Sequence, residues 1–129
     1  MIASRDYIAK HRIQDIGDLN RCNILSMDKR LKWWGNFINA LPVDRQGVFS
    51  QITEINHIRG IINAALGAIG VGFVPRYTVI RELEEGALVE LFTDLDILKD
   101  QINIYIKRDR AGQEKHLALI EFIKGLRLQ

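Results

Sequence analysis

Hydrophobic and polar positions alternate between two periods along this chain. "RLKWWGNFINAL" (30–41) places Leu31, Trp34, Phe37, Ile38 and Leu41 three and four apart, which predicts a helix with one apolar face, stopped by Pro42. Ile58, Ile61, Ile62, Ala65, Leu66 and Ile69 repeat the helical spacing behind Asn56, a residue suited to an N-cap. Between these stretches the period shortens. "NILSM" (23–27) reads as a short buried strand, and "GVFSQIT" (47–53) as an alternating one. "VGFV" (71–74) predicts a strand, "RYTVIREL" a helix ended by Gly86, and "ALVELF" (87–92) an extended segment. "INIYIK" (102–107) alternates strictly and predicts a strand, and "QEKHLALIEFIKGL" (113–126) a final amphipathic helix. At the other end, Ser4 can cap a short helix through "RDYIAKH", with "IGDLNR" as a further helical turn. Strands and helices in this order predict an α/β fold with a mostly parallel sheet flanked by helices on both faces.

Composition narrows the class. With 129 residues, 47% hydrophobic and 26% charged, the chain has globular values. Its 18 basic and 16 acidic residues leave a net charge of +2, too small for a nucleic-acid surface. "KRLK" (29–32) and "KRDR" (107–110) read as solvated surface. The single cysteine, Cys22, excludes an intrachain disulfide and reads as a small buried thiol. No apolar run is long enough to span a bilayer and "MIASRDYIAKH" lacks a signal-peptide core, so a cytoplasmic protein is expected.

The glycines of "AALGAIGVGFVPRY" (64–77) pose the main chemical question. A dinucleotide cradle needs a strand, then a tight turn, then a helix whose N-terminal amides meet the pyrophosphate. Here the helix comes first and the strand follows, so an anion would meet a helix C-terminus. The glycines instead read as the end of a helix, with Gly67 or Gly70 left-handed and Gly72 allowing a close approach to the strand. His11, His57 and His116 lack zinc-like spacing, and "TDLDILKD" (93–100) lacks the glycine and closing glutamate of a calcium loop. No serine sits in a nucleophile elbow. No catalytic residue, metal site or cofactor is assigned. Trp33 and Trp34 cannot both face one core on a helix, so one is expected in the core and the other at an interface or a cleft, with a purely core role for both as the alternative.

The run "NHIRGIINAALGAIGVGFVPRYTVIRELEEGALVELF" resembles the C-terminal effector-binding domain of LysR-type transcriptional regulators. "IASRDYIAKHRIQDIGDLNRCNIL" resembles that family's segment leading into its second lobe, and "INIYIKRDRAGQEKHLALIEFIKGL" its closing strand, basic turn and last helix. The resemblance implies a lobe like those of type-2 periplasmic binding proteins, with residues 1–100 as the second regulatory lobe and 101–129 as the closing strand and helix of the first. It also implies a non-enzymatic sensor that binds a small-molecule effector, often a carboxylate, in an interlobe cleft. DNA would be reached only through an N-terminal helix-turn-helix, to which nothing in these residues corresponds. The cleft residues carried over are Ser4, Ser26, Thr53, Asn56, Phe73 and Val74. A homo-oligomer is expected, because Ile104, Tyr105, Ile106, Leu119, Ile120, Phe122 and Ile123 need a cover. The competing classes are a small α/β enzyme, for which no base and nucleophile pair is evident, and a solute-binding protein fragment, which would need an export signal.

Overall fold

The computed structural model describes residues 1–47, 49–98 and 103–126. The chain divides into two compact units, Met1–Leu98 and Lys99–Gln129.

In the first unit, β1 (Ile2–Ala3) leads into α1 (Arg5–His11), followed by a 3-10 turn over Ile16–Arg21 and β2 (Asn23–Ser26). Then come α2 (Gly35–Ala40), β3 (Gln51–Glu54), α3 (Ile58–Leu66), β4 (Val71–Gly72), α4 (Ile80–Glu84) and β5 (Val89–Glu90). The strands form one sheet in the order β3-β2-β4-β1-β5. β2 is parallel to β3 and to β4, whereas β1 is antiparallel to both β4 and β5. β2, β3, β4 and β5 therefore all run one way and β1 alone runs against them, a mixed sheet that is mostly parallel as expected. The reversed strand, β1, is only two residues long, too short for residue pattern to mark it.

Alternation along the strands sorts side chains to two faces. Met1, Ala3, Ile24 and Val71 join Tyr7 of α1, Leu19, Trp34, and Phe37 of α2 in one core. Ile2 and Leu25 join Ile61, Ile62 and Ala65 of α3, with Val79 and Leu88, in the other. β2 is buried along its whole length, because it is paired on both edges and covered on both faces.

Local chemistry explains most boundaries. Ser4 caps α1 as its sequence suggests, its Oγ accepting from the Tyr7 amide at 3.2 Å. The helix expected at 30–41 is shorter. Leu31 adopts φ +56, so a 3-10 turn over Lys32–Trp34 precedes α2. The expected α3 cap moves by one residue: His57, not Asn56, is the N-cap, and its Nδ1 accepts from the Gly60 amide at 3.3 Å. The left-handed residue after α3 is Ala68 (φ +55), not Gly67 or Gly70. Gly70 serves close packing: a Cβ there would lie 2.5 Å from the Asn23 carbonyl oxygen. Gly72 likewise admits the Ile61 side chain. Gly86, at φ +70, follows α4 as expected.

The strand expected at 47–53 pairs only over Gln51–Glu54, and that expected at 71–74 only over Val71–Gly72. Phe73 and Val74 leave the ladder, which Pro75 could not have continued as a donor. Cys22 is buried, its thiol pushed up in pKa by burial and donating to the Asp18 carbonyl at 3.3 Å.

Asp18 is the most strongly shifted group, with a pKa lowered to about 2. The amides of Asp15 and Gln14 donate to its Oδ2 at 3.0 and 2.7 Å, and Arg21 pairs with its Oδ1. Depression below the ordinary value means that its stabilisation is complete above about pH 4 and is lost as pH falls toward 2. The urea midpoint of the native chain is expected to fall between pH 4.5 and 2.5 by more than that of Asp18→Asn. Parallel pH profiles for the two proteins would contradict this.

The second unit contains a 3-10 turn over Arg108–Arg110 and α5 (Glu114–Gly125). Residues 103–107 of the expected strand "INIYIK" are not in a strand, and Ile102 lies outside the described residues. A strand needs a partner ladder, and none is formed there among the described residues. α5 has no buried residue, and Tyr105, Leu119 and Phe122 are exposed.

Candidate functional site

In open α/β sheets, ligands gather at the carboxyl ends of the strands. Here the parallel strands β2, β3 and β4 end together. From β2 this edge receives Ser26, Met27 and Asp28; from β3, Glu54, Ile55, Asn56 and His57; and from β4, Phe73, Val74, Pro75 and Arg76. The ladder closes at the edge with the Ile55 amide donating to the Ser26 carbonyl at 2.8 Å.

Ser26 is buried, and its Oγ donates to the Asp28 carbonyl at 2.7 Å while lying 3.3 Å from the Asp28 amide. It shapes the turn out of β2. Thr53 sits one residue inside the end of β3, which finishes at Glu54, and its hydroxyl donates to Asn23 Oδ1 at 3.0 Å. Asn56 and His57 are exposed. Phe73 packs on Trp34 and Phe37, with ring centroids 5.6 and 6.1 Å apart. Val74 packs against the opposite core, so the two neighbours face opposite sides.

Ser4 does not join them. β1 runs antiparallel to β4 with Ile2 opposite Gly72, so Ser4 emerges at the amino ends of β2, β3 and β4. A resemblance read as a linear order of segments carries no strand direction, and this residue exposes that limit.

Several edge residues escaped the sequence reading. Arg76 pairs with Glu90 at 3.2 Å, joining the ends of β4 and β5. Glu54 and His57 are exposed beside Asn56. The loop Asp28–Trp33 brings Lys29, Arg30, Lys32 and Trp33 to the surface directly after Ser26. Their nearness to the strand ends was the available signal, and it became visible only with the strand boundaries.

Elsewhere, a shallow hollow of about 750 Å³ on the α3–α4 face is lined by Arg59, Tyr77 and Glu82 among others. Glu82 is buried, and its carboxyl is held below the usual range by its 2.6 Å hydrogen bond from Arg59. Among the described residues, no group of three or more His, Cys, Asp and Glu side chains is placed to hold a metal ion. Also among them, no helix is long and apolar enough to cross a membrane.

Together these features define an α/β lobe with an open edge of strand ends that presents side chains to the surface. The family model for the LysR substrate binding domain matches residues 1–127, and the chain belongs to that family. The fold is accordingly periplasmic-binding-protein-like, and the family is one of transcription regulation. The C-terminal domains of a LysR family protein from Agrobacterium tumefaciens str. C58 share the fold at a TM-score of 0.60 and 24% sequence identity. The likeness covers 73% of this chain and 45% of that one, so the chain spans under half of that relative. No curated protein matches the chain.

Proposed function

We propose that this chain is a ligand-sensing lobe of a LysR-type regulator, without catalysis, and that it takes a small-molecule effector at the carboxyl edge of β2, β3 and β4. The observation that carries the reading is the convergence there of three parallel strand ends, with Asn56, His57 and Glu54 exposed to a ligand. Residues 1–100 are the second lobe in this reading, and 101–129 supply a strand and helix to the first. The effector then contacts both lobes, and its differential affinity for their two arrangements shifts the population between them. DNA contact belongs to a helix-turn-helix outside these residues. A homo-oligomer covers those apolar groups of the second unit that the first lobe leaves exposed, with Tyr105 and Phe122 the foremost candidates. Residues carried from the resemblance divide accordingly: Ser26, Asn56, Phe73 and Val74 remain at the edge, Thr53 stands just behind it, and Ser4 is set aside.

A thermal-shift screen of small carboxylates tests this, because a ligand that binds only the native state raises its melting temperature. The expected result is a hit whose shift is lost in Asn56→Ala with His57→Ala, although the ligand-free protein melts within a few degrees of the native chain. Hits that ignore these substitutions, but vanish on changing Arg59 and Tyr77, would move the site to the α3–α4 face and overturn the proposal.

A further inference from the structure

We propose that the loop Asp28–Trp33 is an anion-recognising aromatic platform, and that the ligand of this edge is a planar organic anion. The inference rests on the edge being the effector site and names the class of molecule it takes.

The loop is clamped at both ends. Ser26 Oγ bonds the Asp28 backbone, and the Leu31 amide donates to the Asp28 carbonyl at 3.2 Å. The Asp28 carboxylate accepts from the Lys32 amide, at 3.2 Å for Oδ2 and 3.3 Å for Oδ1. The Trp34 amide donates to the Leu31 carbonyl at 3.0 Å, and the indole of Trp34 is anchored through Nε1 to the Leu25 carbonyl at 3.2 Å. Leu31 holds a left-handed conformation, φ +56, within this frame. A loop fixed in this way presents its outward side chains with little ordering left to do on binding.

Those outward side chains are Lys29, Arg30, Lys32 and Trp33. Among the described residues, none of the three cations is in an ion pair. The one acid of the loop, Asp28, is committed to the Lys32 amide. Trp33 is 48% exposed, whereas Trp34 beside it is 0% exposed. A half-exposed indole in the same short loop as three exposed cations outside any ion pair among the described residues is complementary to a molecule with a flat ring and a negative group. The ring stacks on the indole, or between indole and guanidinium, while ammonium and guanidinium groups hold the anion. A charge run alone reads as solvated surface. The adjacent exposed indole, the clamp and the position at the strand ends distinguish this one.

The test follows the two indole N–H signals by NMR in the full chain, with benzoate, benzamide and cyclohexanecarboxylate as probes. Trp33→Phe assigns the signals, and the buried Trp34 signal reports that the fold is intact. Benzoate is expected to shift the Trp33 signal saturably. Benzamide, which lacks the charge, and cyclohexanecarboxylate, which lacks the flat ring, are each expected to bind about fivefold more weakly or worse. Replacing Lys29, Arg30 and Lys32 together by glutamine weakens benzoate by about tenfold, and added salt does the same in the native chain. Equal shifts from benzoate and benzamide, an unaffected triple variant or an unmoved Trp33 signal would each overturn the inference. If Trp33 stays unmoved while a carboxylate still raises the melting temperature through Asn56 and His57, only this inference falls. If no small molecule acts at the edge, the functional reading falls with it.

Discussion

Trp34→Ala is expected to cost about 3–5 kcal/mol, more than any other single truncation in the first unit. The indole is fully buried. It packs on Phe37, Phe49 and Phe73 with ring centroids 5.6–5.7 Å away, and its N–H is satisfied by Leu25. Removal opens a cavity inside an aromatic cluster and removes the indole hydrogen bond to the Leu25 carbonyl, so two losses add. Urea unfolding followed by far-UV circular dichroism measures the effect. Trp33→Ala is the matched control, expected to stay within about 0.5 kcal/mol because the side chain is half in water. A similar loss from both substitutions would show that the helix, and not the core, depends on these residues.

Gly70→Val is expected to be nearly as damaging, at about 2–4 kcal/mol, given that overpacking alone costs about 1–3 kcal/mol and the obstacle here includes backbone. A Cβ at position 70 meets the Asn23 carbonyl oxygen at 2.5 Å and the Leu25 side chain at 3.0 Å. Neither retreats easily, because β2 is paired on both sides. Gly67→Ala meets only ordinary contacts, the nearest at 3.4 Å, at φ −76. It is expected to be neutral or mildly stabilising, as a glycine with compatible dihedrals usually is. Denaturant midpoints for the two variants check the contrast. Equal midpoints would mean that Gly70 is not where the sheet is tight.

These cases show what could be read from residues alone. The buried strand 23–26, the α3 stripe, the Ser4 cap and the partition of Trp33 and Trp34 between surface and core follow from period and side-chain chemistry, which are local properties. The Asn56 cap failed by one residue because histidine Nδ1 can also accept an amide proton. The left-handed turn fell on Ala68 because tight contact against Asn23, not dihedral freedom, fixes where a glycine is needed. The common direction of β2, β3, β4 and β5 was legible, but the reversal of the two-residue β1 was not, and it puts Ser4 at the opposite end of the sheet from Ser26 and Asn56. The basic loop was visible as "KRLK" but carried no meaning until Trp33 was seen exposed and Asp28 committed. The strand expected at "INIYIK" depended on a partner ladder, which no periodicity within the segment can supply.

The position of β2 also governs the order of events during synthesis. Its Asn23 side chain donates through Nδ2 to the Ile69 carbonyl, 46 residues later, and accepts from Thr53, 30 residues later. Contacts this far apart form slowly, since the intervening chain must first be closed into loops. "NILSM" therefore leaves the ribosome with both edges bare and waits for two segments not yet made. Until β3 and β4 arrive, both of its edges are open to wrong pairing.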